Sequence, residues 1–286
     1  MRTIPIPCLS DNYAYLIVDE ETGQAGIVDP SEAEPVERVV QQEGVKLTAI
    51  LNTHHHWDHI GGNKGLLAKH PGLSVYGHTS DSGRIDGFTD GLDMGGGLTL
   101  GSLKFDVLHN PGHTMGAITF VVNGCAFTGD TLFAAGCGRV FEGTMEMMYK
   151  SLNEVLGGLP DDTKLYFGHE YTENNLRFAE HVEPDNADVQ QRLAEVRKVR
   201  AAGKFTTPST LAKERKTNPF LRCEAAGVKA KGGGGSPAQV FGAIRGMKDR
   251  FRGTPSRRLR CGVRAPSPGA PLLSSGSPPS RQRSDP

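Results

Sequence analysis

The 286-residue sequence has no Cys-x-x-Cys pair, one tryptophan, no evident internal repeat and no net formal charge. No apolar run approaches the ~18 residues of a membrane span, so no membrane-crossing segment is expected. The five cysteines, at positions 8, 125, 137, 223 and 261, are odd in number and scattered. Free thiols in a reducing compartment fit that pattern better than a disulfide framework. Met1-Arg2-Thr3-Ile4-Pro5 lacks a signal-type apolar core and an Arg/Ser-rich amphipathic presequence, so a soluble, cytoplasmic protein is expected. The charge balance hides an asymmetry. Residues 252–286 hold seven Arg against the single acid Asp285, a balance of +6, which leaves −6 for residues 1–251. A mildly acidic body gives no reason to expect a nucleic-acid partner.

What is present is a chain long enough to bury a large α/β core. Tyr13–Val18 and Gly26–Asp29 flank Glu20-Glu21-Thr22-Gly23 as a hairpin, and Val36, Val39 and Val40 set a helical spacing that Gly44 stops. Leu47–Leu51 reads as a buried strand, a helix follows Gly61-Gly62-Asn63, and Leu73–Tyr76 is another strand. Residues 77–97 read mainly as loop. Short strands then follow at 98–100, 103–108, 117–122 and 125–128, with a hairpin turn at Asn123-Gly124. Met145–Leu156 and Thr172–His181 are helical around a strand at Lys164–Phe167, and from Asn186 onward only helices are expected. Beyond Phe251 the composition is Arg, Pro, Ser and Gly, too poor in apolar residues to offset its ordering entropy, so a disordered tail is expected.

The chemistry concentrates in Thr53-His54-His55-His56-Trp57-Asp58-His59, directly after the strand Leu47–Leu51. Neutral imidazoles and carboxylates are ligands for first-row metals. The segment offers more ligands than one tetrahedral ion needs, which points to half of a two-metal site. Three further residues end apolar strands beside a glycine: His113 in Asn110-Pro111-Gly112-His113, Asp130 in Thr128-Gly129-Asp130, and His169 in Phe167-Gly168-His169-Glu170. Strand ends converge on one edge of a layered sheet, where ligands gather in α/β folds. His55 points away from its neighbours, and His70, His78, His109 and His181 are expected at the surface or in support. Asp29 ends a strand, either as a turn cap or as a partner of a ligand.

With these residues assembled, the sequence resembles the metallo-β-lactamase superfamily, whose seven-ligand pattern looks like His54-x-His56-x-Asp58-His59 followed by His113, Asp130 and His169. Over roughly residues 1–251 it is similar to the hydroxyacylglutathione hydrolases, or glyoxalase II enzymes. That likeness includes Asp11-Asn12-Tyr13, Ala135-Gly136-Cys137-Gly138-Arg139, Gly168-His169-Glu170-Tyr171-Thr172 and Asn218-Pro219-Phe220. The resemblance implies an α/β fold, an αββα sandwich with a C-terminal helical domain. Residues 1–172 would bind metal, 173–251 would form the helical substrate-binding part, and 252–286 the basic tail, which is expected to be dispensable. It further implies one ion on His54, His56 and His113 and another on Asp58, His59 and His169. Asp130 and a water or hydroxide would bridge them, and Asp58 would also take part in catalysis. Two divalent ions ~3.5–4 Å apart need anionic bridges to offset their repulsion, and water on such ions can ionise near pH ~7. Zinc is the expected metal, with iron or manganese compatible with the same His/Asp set.

The implied activity is hydrolysis of S-(2-hydroxyacyl)glutathione, typically S-D-lactoylglutathione, to glutathione and D-lactate, the second step of methylglyoxal detoxification. The implied partner is a small-molecule glutathione thioester bound by a monomer. A thiolate leaves without obligatory protonation, so no dedicated general acid is demanded. Glutathione carries two carboxylates, and the family grips it with residues matching Arg139, Tyr171, Arg245 and Lys248. Where the family commonly has an aromatic hydroxyl, this chain has Phe141, so weaker substrate binding is expected. Gly232–Gly235 is expected to loosen the connection to the helix carrying Arg245 and Lys248. A mononuclear-iron glutathione persulfide dioxygenase of the same superfamily, on the equivalents of His54, His113 and Asp130, is the nearest alternative. The Arg139 motif and the basic final helix favour the hydrolase. A β-lactam hydrolase is usually exported and lacks such helices, a nucleic-acid-processing member would need a basic surface, and a non-catalytic metal-binding protein would not need all seven ligands.

Overall fold

The computed structural model of the protein describes residues 1–252. Two six-stranded sheets face each other. The first has the spatial order β1 (Arg2–Cys8), β2 (Asn12–Val18), β3 (Gln24–Val28), β4 (Lys46–Leu51), β5 (Ser74–His78) and β6 (Asp90–Leu92), its first pairs antiparallel and the rest parallel. The second comprises β7 (Gly97–Leu100), β8 (Leu103–His109), β9 (Ile118–Val122) and β10 (Cys125–Gly129). A small hairpin, β11 (Leu132–Phe133) and β12 (Gly136–Cys137), leads on to β13 (Lys164–Phe167), which lies between β10 and the edge strand β14 (Ser209–Thr210).

Period-two patterning explains the layers. Every residue of β2 is buried, yet its two faces enter different cores. Tyr13, Tyr15 and Ile17 pack between the sheets with Phe105, Phe120 and Phe127. Ala14, Leu16 and Val18 face the opposite way with Val36, Val40 and Leu66, from helices α1 (Ala33–Glu43) and α3 (Asn63–Lys69), which follow either side of the short α2 (Trp57–Ile60). A third core lies on the outer face of the second sheet, where Ala126 and Leu165 meet the later helices: α4 (Met145–Lys150), α5 (Thr172–Val182), α6 (Ala187–Ala201), α7 (Leu211–Thr217), α8 (Ala226–Lys231) and α9 (Pro237–Arg250). Phe178, Phe220 and Phe241 form the centre of that third layer. The order helix, sheet, sheet, helix is the αββα sandwich, with the helical segment sharing a core with the second sheet.

One strand lies where no element was expected, and three local expectations are corrected. The first strand, Arg2–Cys8, is an edge strand interrupted by Pro5 and Pro7, which suits a position with one neighbour and hides the strand pattern. Residues 77–97 contain β6, whose Asp-Gly-Leu carries almost no strand signal and pairs only because β5 offers an open edge. The region after Asn186 is not helical throughout, since Ser209 and Thr210 add β14 to β13. Finally, the glycine run follows a defined path. Gly233, Gly234 and Gly235 take φ of 81°, 79° and 93° between α8 and α9, a path that side chains resist, and Ser236 then starts α9 with a reciprocal capping box. The expected tail, 252–286, lies outside the described residues beyond its first position.

Candidate metal centre

The ligand-bearing segments all leave strands at one edge of the sandwich. His54, His56, Asp58 and His59 follow β4, His113 follows β8, Asp130 follows β10 and His169 follows β13. Two glycines let the backbones approach this closely. A Cβ on Gly129 (φ 47°) would lie 2.2 Å from Thr53 Oγ1, and one on Gly138 would lie 1.9 Å from the Asp130 carbonyl oxygen. Two clusters result, His54/His56/His113 and Asp58/His59/His169, each with ligand atoms within 4.8 Å of one another.

Hydrogen bonds on the outer side fix how each ring faces inward. His59 Nδ1 lies 3.0 Å from Asp29 Oδ2, and His169 Nδ1 lies 2.9 Å from Asp11 Oδ1. His113 Nδ1 donates to the Arg139 carbonyl at 2.8 Å. Thr53 Oγ1 donates to Asp29 Oδ2 at 2.7 Å, so its oxygen accepts from His54 Nδ1 at 3.0 Å. Each partner is an acceptor, so each Nδ1 carries a proton and each Nε2 is turned to the centre. His56 presents Nδ1 instead, 3.1 Å from His54 Nε2 and 3.0 Å from His113 Nε2. His59 and His169 bring their Nε2 atoms to 3.3 Å.

At His54, His56 and His113, whose charged forms burial disfavours, lone pairs face lone pairs with no protons to share. Asp130 adds to this, with Oδ1 buried and 3.3 Å from His59 Nε2, an ion-pair distance. Its Oδ2 stands 3.3 Å from His169 Nε2 and 3.6 Å from His113 Nε2, reaching one ring of each cluster. The donor set fits cations in both clusters, and the buried carboxylate between them, facing His59, His113 and His169, fits a shared anionic ligand. Asp29 is also within ligand range of His54 and His59, but its oxygens are taken by Thr53 N, Thr53 Oγ1 and His59, so it supports rather than ligates.

The electrostatics divide the same way. Burial and then the neighbouring imidazoles hold His54 well below the ordinary histidine range, and His56 falls to about 4 for like reasons, with His113 its strongest neighbour. Burial also disfavours charge on His59 and His169, but the Asp130 carboxylate outweighs it, raising His59 and bringing His169 to about 9. Asp130 is kept ionised despite its burial by those same two rings.

The remaining expected residues are placed unevenly. Tyr171 stacks flat on His169, centroids 4.7 Å apart and planes at 5°. Phe141 is 61 % exposed and sets its ring edge-on against His56 and His113. Arg139 is exposed, 3.8 Å from Asp249. Lys248 rests over the rings of Phe178 and Phe251 with Nζ 3.2 Å from the Asn174 carbonyl. Arg245 does not share an open helix face with it. Arg245 is buried, donates to the Cys137 carbonyl at 2.7 Å and to Asp249 at 3.0 Å, and lies over the Phe220 ring. His55 also faces away from the clusters, with Nδ1 3.2 Å from Asp81 and Nε2 3.6 Å from Glu142.

Sequence reasoning missed the polar side chains that hold the β11–β12 hairpin. Glu214 accepts from Ala135 N, Asn175 donates to the Ala134 carbonyl, and Asn218 donates to the carbonyls of Phe133 and Gly136. Only Asn218 lies in a distinctive motif, Asn218-Pro219-Phe220. Glu214, in the ordinary helical run Leu211–Thr217, carries no signal that it is buried. His78 and His109 stack on each other at 4.3 Å away from the centre, and His70 pairs with Glu37. Among the described residues Cys8, Cys125, Cys137 and Cys223 are free and buried, and no helix is long and apolar enough to cross a membrane.

Known proteins place the chain on the same ground. A family model described as "Metallo-beta-lactamase superfamily" matches residues 10–169, and one described as "Hydroxyacylglutathione hydrolase C-terminus" matches residues 170–251. A curated cytoplasmic hydroxyacylglutathione hydrolase of Arabidopsis thaliana is 46% identical over 260 residues, covering 88% of this chain and 100% of that protein. Among solved structures, ETHE1 from Myxococcus xanthus superposes with a TM-score of 0.63 at 27% identity, over 90% of this chain and 93% of that one. TTHA1623, solved in a di-iron-bound form, gives a TM-score of 0.55 at 25% identity, over 76% of this chain and 100% of that one.

Proposed function

We propose that this chain, which belongs to the hydroxyacylglutathione hydrolases of the metallo-beta-lactamase superfamily, hydrolyses the thioester of S-(2-hydroxyacyl)glutathione, S-D-lactoylglutathione above all, to glutathione and the 2-hydroxy acid. The observation that carries the reading is the inward convergence of the His54, His56 and His113 ring nitrogens on one side and of His59 and His169 on the other, with the buried Asp130 carboxylate between them. His54, His56 and His113 would hold one divalent ion and Asp58, His59 and His169 the other, with Asp130 between them. Bound there, two such ions would supply Lewis acidity at the thioester carbonyl and lower the pKa of an attacking water. Zinc suits the set, and the di-iron form of TTHA1623 supports iron as a second candidate.

The chain's own residues supply the rest. Asp58 is more accessible than Asp130, 23% against 11% of the side chain, and is the carboxylate positioned to take the proton of the attacking water. Tyr171, flat against His169, and Phe141, edge-on to His56 and His113, would flank a substrate that reaches the two clusters. Arg139 and Lys248 would be the cations that meet the glutathione carboxylates. Arg245 acts from below, drawing the Cys137 and Gly138 carbonyls into a fixed path that carries Arg139. A cytoplasmic setting follows the Arabidopsis relative's name.

The test is loss of thioester absorbance with S-D-lactoylglutathione, alongside elemental analysis of the protein. Turnover that disappears with a chelator and returns with zinc or iron is expected. No hydrolysis by protein holding one equivalent of iron would overturn the reading in favour of the persulfide dioxygenase.

A further inference from the structure

Asp11-Asn12-Tyr13 has no part in the chemistry above, yet it joins the two sheets at the metal edge. Tyr13 N donates to the Gly168 carbonyl and Glu170 N to the Asp11 carbonyl, both at 2.8 Å, so the turn into β2, Asp11 and the first residues of the strand, is zipped to the segment carrying His169. The Tyr13 hydroxyl closes the seam by donating to Glu170 Oε2 at 2.5 Å. The side chains then reach the ligands themselves. Asn12 Nδ2 donates to the Asp58 carbonyl at 2.9 Å and to Asp58 Oδ2 at 3.2 Å, fixing both backbone and carboxylate. Asp11 Oδ1 holds the proton of His169 Nδ1 at 2.9 Å and so aims its Nε2 inward.

Two of the three ligands in the Asp58/His59/His169 cluster are therefore oriented by this one turn. None in the other cluster is: His54 is set by Thr53 and His113 by the Arg139 carbonyl. The partners differ in chemistry as well. Both rings of the first-named cluster, His59 and His169, are backed by carboxylates, which make an imidazole a more basic donor, whereas His54 and His113 are backed by a neutral hydroxyl and a carbonyl.

We propose that Asp11 and Asn12 are positioning residues that set the affinity of the Asp58/His59/His169 cluster for its ion, independently of the His54/His56/His113 cluster. The proposal rests on the two-ion reading of the centre. Loss of a hydrogen-bonding partner behind a ligand costs about 10- to 100-fold in metal affinity. The effect should fall on one binding step only, because the turn touches only one cluster.

The experiment is zinc titration of the full chain against a chromophoric chelator, with equivalents retained after dialysis measured by elemental analysis. Wild type should take up two equivalents in resolvable steps. Asn12→Ala and Asp11→Asn should each weaken one step by about 10- to 100-fold and leave the other unchanged. Retained zinc should then fall from two equivalents toward one, with the far-UV circular dichroism of wild type. Asp11→Asn preserves volume and removes only the carboxylate charge behind His169, so the fold is kept while the more basic backing partner is lost. Equal weakening of both steps, or of neither, in protein whose wild type binds two ions would overturn the role of the turn alone. A wild type that binds a single ion would overturn the two-ion reading and the proposal with it.

Discussion

Replacing Glu214 by Ala should unsettle the site from a distance. Glu214 is fully buried on α7 and accepts from Ala135 N at 2.6 Å, Arg192 Nη2 at 2.6 Å, Ser209 Oγ at 2.5 Å and Asn218 Nδ2 at 3.2 Å. Ala135 sits at φ 54°, a conformation an alanine holds only when its surroundings dictate it. Its N–H bond to Glu214 does this, and the hairpin so held leads through Gly138 to Arg139. Without the carboxylate, Arg192, 11% exposed, becomes a nearly buried charge with no partner acid. Removing one member of such a pair costs about 3–5 kcal/mol. At roughly 2–4 °C per kcal/mol for a domain of this size, the melting temperature should fall by about 6–20 °C. Thermal unfolding followed by circular dichroism checks the stability, and the KM for the thioester, measured well below the melting point, should rise. Arg192→Met added to Glu214→Ala should recover part of the loss, since it removes the stranded charge. A fall of less than about 3 °C, or strict additivity of the two changes, would refute the reasoning.

Two further predictions concern Lys248 and Phe141. Burial, and then the Arg245 guanidinium, push Lys248 down to about 7, so its ammonium is lost as pH rises through that value. The KM for the glutathione thioester should therefore rise from about pH 6 to about pH 9, and Lys248→Arg should flatten the dependence. Because the folded protein binds this proton less well than the unfolded chain, the same group makes stability increase with pH between about 7 and the ordinary lysine value. Phe141→Tyr restores a hydroxyl beside the exposed ring and should lower KM about 2- to 10-fold, the equivalent of one hydrogen bond of ~0.5–1.5 kcal/mol. An unchanged KM in steady-state assays would show that position 141 does not meet the peptide backbone.

Much of the architecture was legible in the chain because it rests on local rules. The apolar run Tyr13–Val18, the valine spacing stopped by Gly44, and the turn at Asn123-Gly124 each state an element without reference to any other. The ligands were legible for a related reason: few roles besides ligation bring imidazoles and carboxylates together beside glycines at strand ends. Edge strands were not. Asp90–Leu92 and Ser209–Thr210 become strands only because a neighbour offers unpaired backbone groups.

The sequence by itself determined that a two-cluster His/Asp centre lies at one edge of a layered α/β fold, since residue type and strand-end position carry that information. Tertiary structure alone decided which nitrogen of each ring faces inward, that Asp29 and Asp11 stand behind His59 and His169, and that Arg245 is buried while Lys248 is only partly so. Those outcomes depend on partners up to 158 positions apart in the chain, as with Asp11 and His169, and no local pattern records which side chains meet across two sheets.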